Sequence, residues 1–149
     1  MFNNIHAATA GTDFGFQGDT GTNTNYNQTI TSSFFRAAHN EADSTAVVGY
    51  DTGYDQAQGT SIQPIATNMG DDNDMCGSGF LHLFSPSDTS FVKHFIAINN
   101  RYFGDDPVTA NDFIGGYGNT TSAIDAIDFK FASGNIDSGV IKMFGLSKS

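Results

Sequence analysis

The residues able to do chemistry are spread along the chain. His6, His39, His82 and His94 stand apart, and none has the H-E-x-x-H spacing that sets two imidazoles on one helix face for zinc. His82 and His94 fall in adjoining strand candidates and are placed to face each other across a ladder. A hydrogen-bonded strand histidine is the plainer reading of each, because metal sites need ligand clusters with supporting partners. Asp71, Asp72, Asn73 and Asp74 form the densest group of oxygen ligands. Calcium takes six to eight oxygens, but the glycine and the glutamate that shape an EF-hand loop are missing, so a solvated loop tip is favoured. Asp105-Asp106-Pro107 carries the same two readings.

Nucleophiles fare no better. Gly77-Ser78-Gly79 lacks the G-x-S-x-G elbow and no helical pattern follows it. Cys76 lies beside the acidic group, which raises a thiol pKa and dulls it. Gly115-Gly116-Tyr117-Gly118 meets neither P-loop nor dinucleotide spacing. A pair of carboxylates of the glycosidase kind is no more than chance among loop aspartates. The chain offers no catalytic, cofactor or metal constellation, and no enzyme is expected. Tyr50, Tyr54, Tyr102 and Tyr117 stand near loops with Asp and Asn neighbours. They suit a protein interface, where an aromatic body is dry and its hydroxyl wet, more than a sugar platform.

The elements that must carry these residues are β-strands. The chain has 149 residues, with 17 Gly, 14 Phe and only 15% charged residues. Glu41 is the one glutamate. Turn-forming Asp, Asn, Gly and Ser stand where a helical protein would carry Glu, Lys and Arg. From Tyr26 on, apolar runs alternate with turn clusters. The candidates are 26–36, 45–50, 60–66, 79–84, 90–99, 112–117, 124–132 and 139–146, while Ala37 to Ala46 suits one helical turn. Ile127, Phe129 and Phe131 share one strand face with Asp128 and Lys130 on the other, and Ile141 and Met143 flank Lys142 alike. The run Phe91 to Ile98 reads as buried on both faces. Pro64 marks an edge strand or bulge. The expected fold is an all-β antiparallel sandwich, jelly-roll-like, over 26–149. Residues 1–25, with Gly11, Gly15, Gly18 and Gly21, read as an irregular glycine-rich arm.

Charge narrows the partners. Six basic residues against 16 acidic ones give a net charge of −10, so no cationic face exists to neutralise nucleic-acid phosphates. The lone cysteine excludes an internal disulfide framework, no run of about 20 apolar residues spans a membrane, and the first residues lack the pattern of a signal peptide.

The stretch 124–131, then Ser133-Gly134-Asn135-Ile136, then 138–146 with its Phe144-Gly145-Leu146 triplet, resembles the terminal hairpin of small virion surface proteins of marine tailed phages. Gly79-Phe80-Leu81 through Ser85-Pro86-Ser87 to Phe91 resembles that group's central hairpin, so the likeness covers roughly residues 28 to 146. Phe144 stands where the group usually carries Tyr. The resemblance implies a jelly-roll-like sandwich on the virion surface without enzymatic activity. It transfers only the turn glycines Gly134, Gly139 and Gly145. On it rests the expectation of a capsid decoration protein on the outer head surface, bound to the major capsid protein and to itself, with a trimer as one closed form. A receptor- or glycan-binding module of a tail fibre is the alternative. The expected partner-binding residues are Phe2, Phe14, Phe16 and Tyr26, aromatic anchors carried on or next to the arm.

Overall fold

The computed structural model describes residues 1–103 and 107–146. The Asp105-Asp106 pair lies outside the described residues. The fold is an all-β antiparallel sandwich with no helix among the described residues. In chain order the strands are β1 Phe2–Ala7, β2 Thr12–Asp19, β3 Ile30–Asn40, β4 Ala46–Tyr50, β5 Gln63–Met69, β6 Gly77–Leu83, β7 Lys93–Phe103, β8 Val108–Gly118, β9 Ala126–Phe131 and β10 Ile136–Ile141. One sheet has seven strands in the order β10-β1-β6-β7-β8-β3-β4; the other has three, β5-β2-β9. A jelly roll divides eight strands between two Greek keys. Here β6, β7 and β8 run as a meander in the large sheet and the division is unequal.

Residues 1–25 are not an irregular arm. β1 is inserted between β10 and β6, and β2 is the central strand of the small sheet. The physical reason lies in Phe14-Gly15-Phe16. The two phenylalanines point into the core at period two, while Gly15 sits where an added Cβ would lie 2.5 Å from the Gln63 carbonyl oxygen and 2.7 Å from Ile62. Its glycine admits a close neighbour instead of breaking the strand. The buried Gln17 side chain donates to the carbonyls of Gln28, Thr60 and Ser61 at 3.1, 3.1 and 2.9 Å, tying the covering loops to β2.

The core lies between the sheets. Phe2 meets Phe14 edge-on at 5.3 Å, and Phe16 meets Phe95 in the same way at 5.0 Å. Phe34, Ile65, Ala97 and Ile114 close the middle. On β9, Phe131 is buried and Ile127 and Phe129 pack on the core, while Lys130 and Asp128 pair at 3.1 Å on the other face. Pro64 lies in β5, an edge strand with a register shift beside it. Ala37 to Ala46 does not form a helical turn. β3 continues to Asn40, whose buried side-chain oxygen accepts the Ser44 and Thr45 N–H groups at 3.0 and 2.8 Å and so shapes the turn into β4.

The 124–146 stretch is not a hairpin either. β9 pairs with β2 in the small sheet and β10 pairs with β1 in the large one. Gly134, at φ 72°, carries the chain across the gap between them. β10 ends at Ile141, and Met143, Phe144 and Leu146 project beyond it.

Candidate interaction face

Two unlike faces share the large sheet. Strict alternation sends Lys93, Phe95, Ala97, Asn99 and Arg101 of β7 inward, all buried. The intervening residues point away from the small sheet. The Phe91–Ile98 run is therefore not buried on both faces, for Ile96 is 46% exposed. Among the described residues no second layer covers this side of the sheet.

The registers across β6, β7, β8, β3 and β4 have no shifts. They place Phe80, Ile98, Phe113, Phe35 and Tyr50 directly opposite one another, so these residues form one transverse row on the outer face. Phe35 and Phe113 stack at 4.9 Å with planes 5° apart. Phe80, Phe35 and Tyr50 are 42%, 44% and 56% exposed. The adjacent row is His82, Ile96, Gly115 and Ser33. Beyond it, Phe84 stacks on His82 at 4.2 Å, and Tyr117 meets His94 at 6.1 Å. His82 and His94 share this face without facing each other, since His82 lies opposite Ile96 and His94 opposite Tyr117.

Among the described residues, no outward position on these five strands is Lys, Arg, Asp or Glu. In a chain of net charge −10 that is a marked exclusion. The face spans about 19 Å across five strands and about 27 Å along them, on the order of 500 Å². Toward its β4 end a shallow depression of about 380 Å³ is lined by Ala37, Val48 and Asn111 with Ala46 and Thr109.

The buried side of the same sheet holds the charges. Asp112 accepts from Arg36 Nε at 2.8 Å through one oxygen and from Arg101 Nε at 2.8 Å through the other. The second oxygen also takes the Thr67 backbone N–H at 3.1 Å. Thr67 Oγ1 accepts from both guanidiniums. Arg101 lies 4.0 Å over the Phe103 ring, and burial pushes its pKa below the ordinary value. Arg36 reaches Asp51 at 3.5 Å on the rim. Asp112 and Arg101 are sealed from solvent, and the cluster joins β3, β7 and β8 to β5. Lys93, also buried, donates to the Phe91 and Thr120 carbonyls at 2.7 and 3.3 Å.

Three of the four expected anchors lie out of a partner's reach. Phe2, Phe14 and Phe16 are 3%, 1% and 4% exposed and belong to the core, because the supposed arm is two structural strands. Tyr26 is half-buried in the connection to β3, at φ 47°. The four tyrosines do not form a platform. Tyr102 and Tyr117 sit near opposite ends of the β7–β8 ladder, and Tyr54 packs on Phe34 at 5.3 Å. Asp71, Asp72, Asn73 and Asp74 are an exposed turn. No group of three His, Cys, Asp or Glu among the described residues is disposed to hold a metal. The outer row escaped the sequence reading. Its signal was present in the neighbours Phe34-Phe35, Phe113-Ile114 and Phe95-Ile96, each pair sending large apolar side chains to both faces of one strand.

Comparisons with protein-family models, with curated proteins and with solved structures give no match to this chain. The helices that would cross a membrane are also missing from the described residues.

Proposed function

We propose that this chain is a non-enzymatic structural protein of a phage virion, a decoration protein that docks on the outer surface of the head shell. The observation that carries the reading is the uncharged outer face with its transverse row Phe80, Ile98, Phe113, Phe35 and Tyr50. A face lacking charge in so acidic a chain loses little desolvation energy when another protein covers it, and aromatic residues supply most of the binding energy of such contacts. The acidic remainder then faces solvent and stays soluble. The sequence likeness of residues 28 to 146 to small virion surface proteins points the same way, although 124–146 divides between two sheets instead of forming that group's terminal hairpin.

Size bears on how the face works. About 500 Å² lies in the range of the largest patch on an ordinary monomer, which is often functional, and is smaller than the roughly 800 Å² per partner of a stable standard interface. One copy alone therefore binds weakly. A homo-oligomer presenting several such faces to a repeating shell gains by avidity without any new contact. The major capsid protein is the partner that offers such a repeat.

Quantitative mass spectrometry of purified virions tests the assignment. Copy numbers comparable to the major capsid protein support it. A few copies per particle place the chain on a tail or fibre, where receptor or glycan binding becomes the reading, and absence from the particle overturns both.

A further inference from the structure

The sandwich has four sheet edges, and three are guarded against further pairing. β10 carries Asp137, a glycine at φ 125° and register shifts against β1. β5 carries Pro64 and its own shifts, and β9 carries Asp128 and Lys130. Charges, prolines and bulges are the ordinary means of keeping an edge from recruiting strands. β4 has none of them. Its sequence is Ala-Val-Val-Gly-Tyr, every residue is exposed, and its pairing with β3 is regular. The Asp51 N–H donates to Phe34 O and the Asn40 N–H to Thr45 O. Antiparallel alternation then leaves the N–H groups of Ala46, Val48 and Tyr50 aimed away from the sheet.

The same chain carries an uncovered apolar segment beyond β10. After Lys142, which pairs with Met1, come Met143, Phe144, Gly145 and Leu146. Met143, Phe144 and Leu146 are 77%, 67% and 83% exposed. We infer that this segment of one copy adds as a strand to the β4 edge of a second copy, with Phe144 and Leu146 on one side of the new strand beside the Val48 depression.

Two arguments fix the occupant. The first is reach. β10 and β4 are the opposite edges of the seven-stranded sheet, about 29 Å apart at ordinary strand spacing. The five residues after Ile141, Lys142 to Leu146, extend at most about 17 Å, so the segment cannot cover its own β4. The second is charge. The turn into β4 carries exposed Glu41 and Asp43, and Asp51 and Asp55 follow the strand. Pairing two β4 edges about a two-fold axis would bring these acidic ends together. The 142–146 segment contains no acid and begins with Lys142, so it meets the acidic edge with opposite charge. A head-to-tail contact of this kind builds a ring, or a filament if the rotation does not close. It adjoins the β4 end of the docking row, where Tyr50 lies, and its test by association in solution does not depend on the virion assignment.

Sedimentation velocity on the full chain tests the contact with two variants. Val48→Pro removes an outward N–H and leaves the β3 ladder intact. Phe144→Asp removes the apolar residue and adds repulsion. The wild-type chain is expected to be oligomeric, and each variant to be a folded monomer by circular dichroism, with association at least tenfold weaker. An equimolar mixture of the two is expected to form a one-to-one dimer, since Val48→Pro still supplies a segment and Phe144→Asp still supplies an edge. A monomeric wild type, a mixture that stays monomeric, or an oligomer that Val48→Pro dissolves while Phe144→Asp leaves intact would overturn the inference. The last outcome would point instead to edge-to-edge pairing.

Discussion

The two faces of the large sheet invert the usual arrangement of a soluble domain. The inner face buries Arg101 and Asp112 between the sheets with Arg36 at the rim, whereas the outer face of the same strands shows solvent phenylalanine, isoleucine and tyrosine with no carboxylate, ammonium or guanidinium among the described residues. Along β8 the switch is a single residue: Asp112 points in and Phe113 points out. A buried ion cluster is weak evidence for stability, because desolvation opposes the Coulomb gain. Its effect here is to fix registry. Asp112 is satisfied only when β3, β7 and β5 are all in place, as its partners come from all three. That registry is what aligns the outer row across five strands. The charged interior specifies the geometry, and the uncharged exterior uses it.

Removing Asp112 is expected to have the largest effect. Asp112→Ala would leave the buried Arg101 guanidinium without its carboxylate and Arg36 with Asp51 alone, and a loss of about 3–5 kcal/mol in stability is expected from removing one member of such a cluster. Urea unfolding monitored by circular dichroism measures it. Arg101→Met should cost less, because Asp112 keeps Arg36 at 2.8 Å and the Thr67 N–H. Equal losses in the two variants would show that Arg101 and not the carboxylate organises the cluster.

Gly115 and Gly116 sharpen the same contrast with one chemical change made on each face. A Cβ on Gly116 would lie 2.5 Å from the Thr31 carbonyl oxygen and 2.9 Å from the Phe95 ring, while one on Gly115 meets nothing within 4 Å. Gly116→Ala is expected to destabilise by about 1–3 kcal/mol, as overpacked sites do. Gly115→Ala should be neutral or stabilising by up to about 1 kcal/mol, since it restricts only the unfolded chain. Thermal melts of both variants check the pair, and similar losses would mean that the outer face is covered.

On the outer face itself, Phe35→Ser with Phe113→Ser removes the stacked centre of the row. The stability cost is expected to be about 1 kcal/mol, the scale of an aromatic pair at a site still open to solvent. Binding to undecorated shells should fall at least tenfold, read by co-sedimentation. Retained binding by the folded double variant would remove the face from the docking proposal.

Much of the sandwich was legible because strand alternation and turn residues are local signals. The facing of Ile127, Phe129 and Phe131, the edge placement of Pro64 and the β6–β7 connection through Pro86 all follow from neighbours in sequence. Sheet membership is not local. Nothing between Phe131 and Ile136 announces that β9 and β10 part company, since that depends on β2 and β1 arriving from the far end of the chain. The glycines of residues 1–25 misled for a related reason. Gly15 permits a close approach whose partner, Gln63, lies far along the sequence. The outer row was hidden similarly: Phe80, Ile98, Phe113, Phe35 and Tyr50 come from five strands and become a row only once the registers are set.

The smallest expected effect lies at Asp13, at the margin between the charged interior and solvent. Its side-chain oxygen accepts the Asn68 N–H at 2.8 Å, which supports the left-handed backbone of Asn68 at φ 48°. Burial raises its pKa above the ordinary value, and that hydrogen bond, Arg101 and Arg36 offset the rise only in part. A folded-state pKa above the unfolded one means that the native state holds this proton more tightly. The contribution to stability is therefore present at acid pH, below the unfolded value, and is lost as pH rises through the folded one. Asp13→Asn keeps an oxygen for the Asn68 N–H and never ionises. It should melt slightly above the wild type at neutral pH, and the gap should close as the pH falls below about 4, where both side chains are neutral. A variant that melts lower at neutral pH would show that the Asp13 carboxylate is a needed counter-charge for Arg36 and Arg101, which would extend the inner charge cluster onto β2.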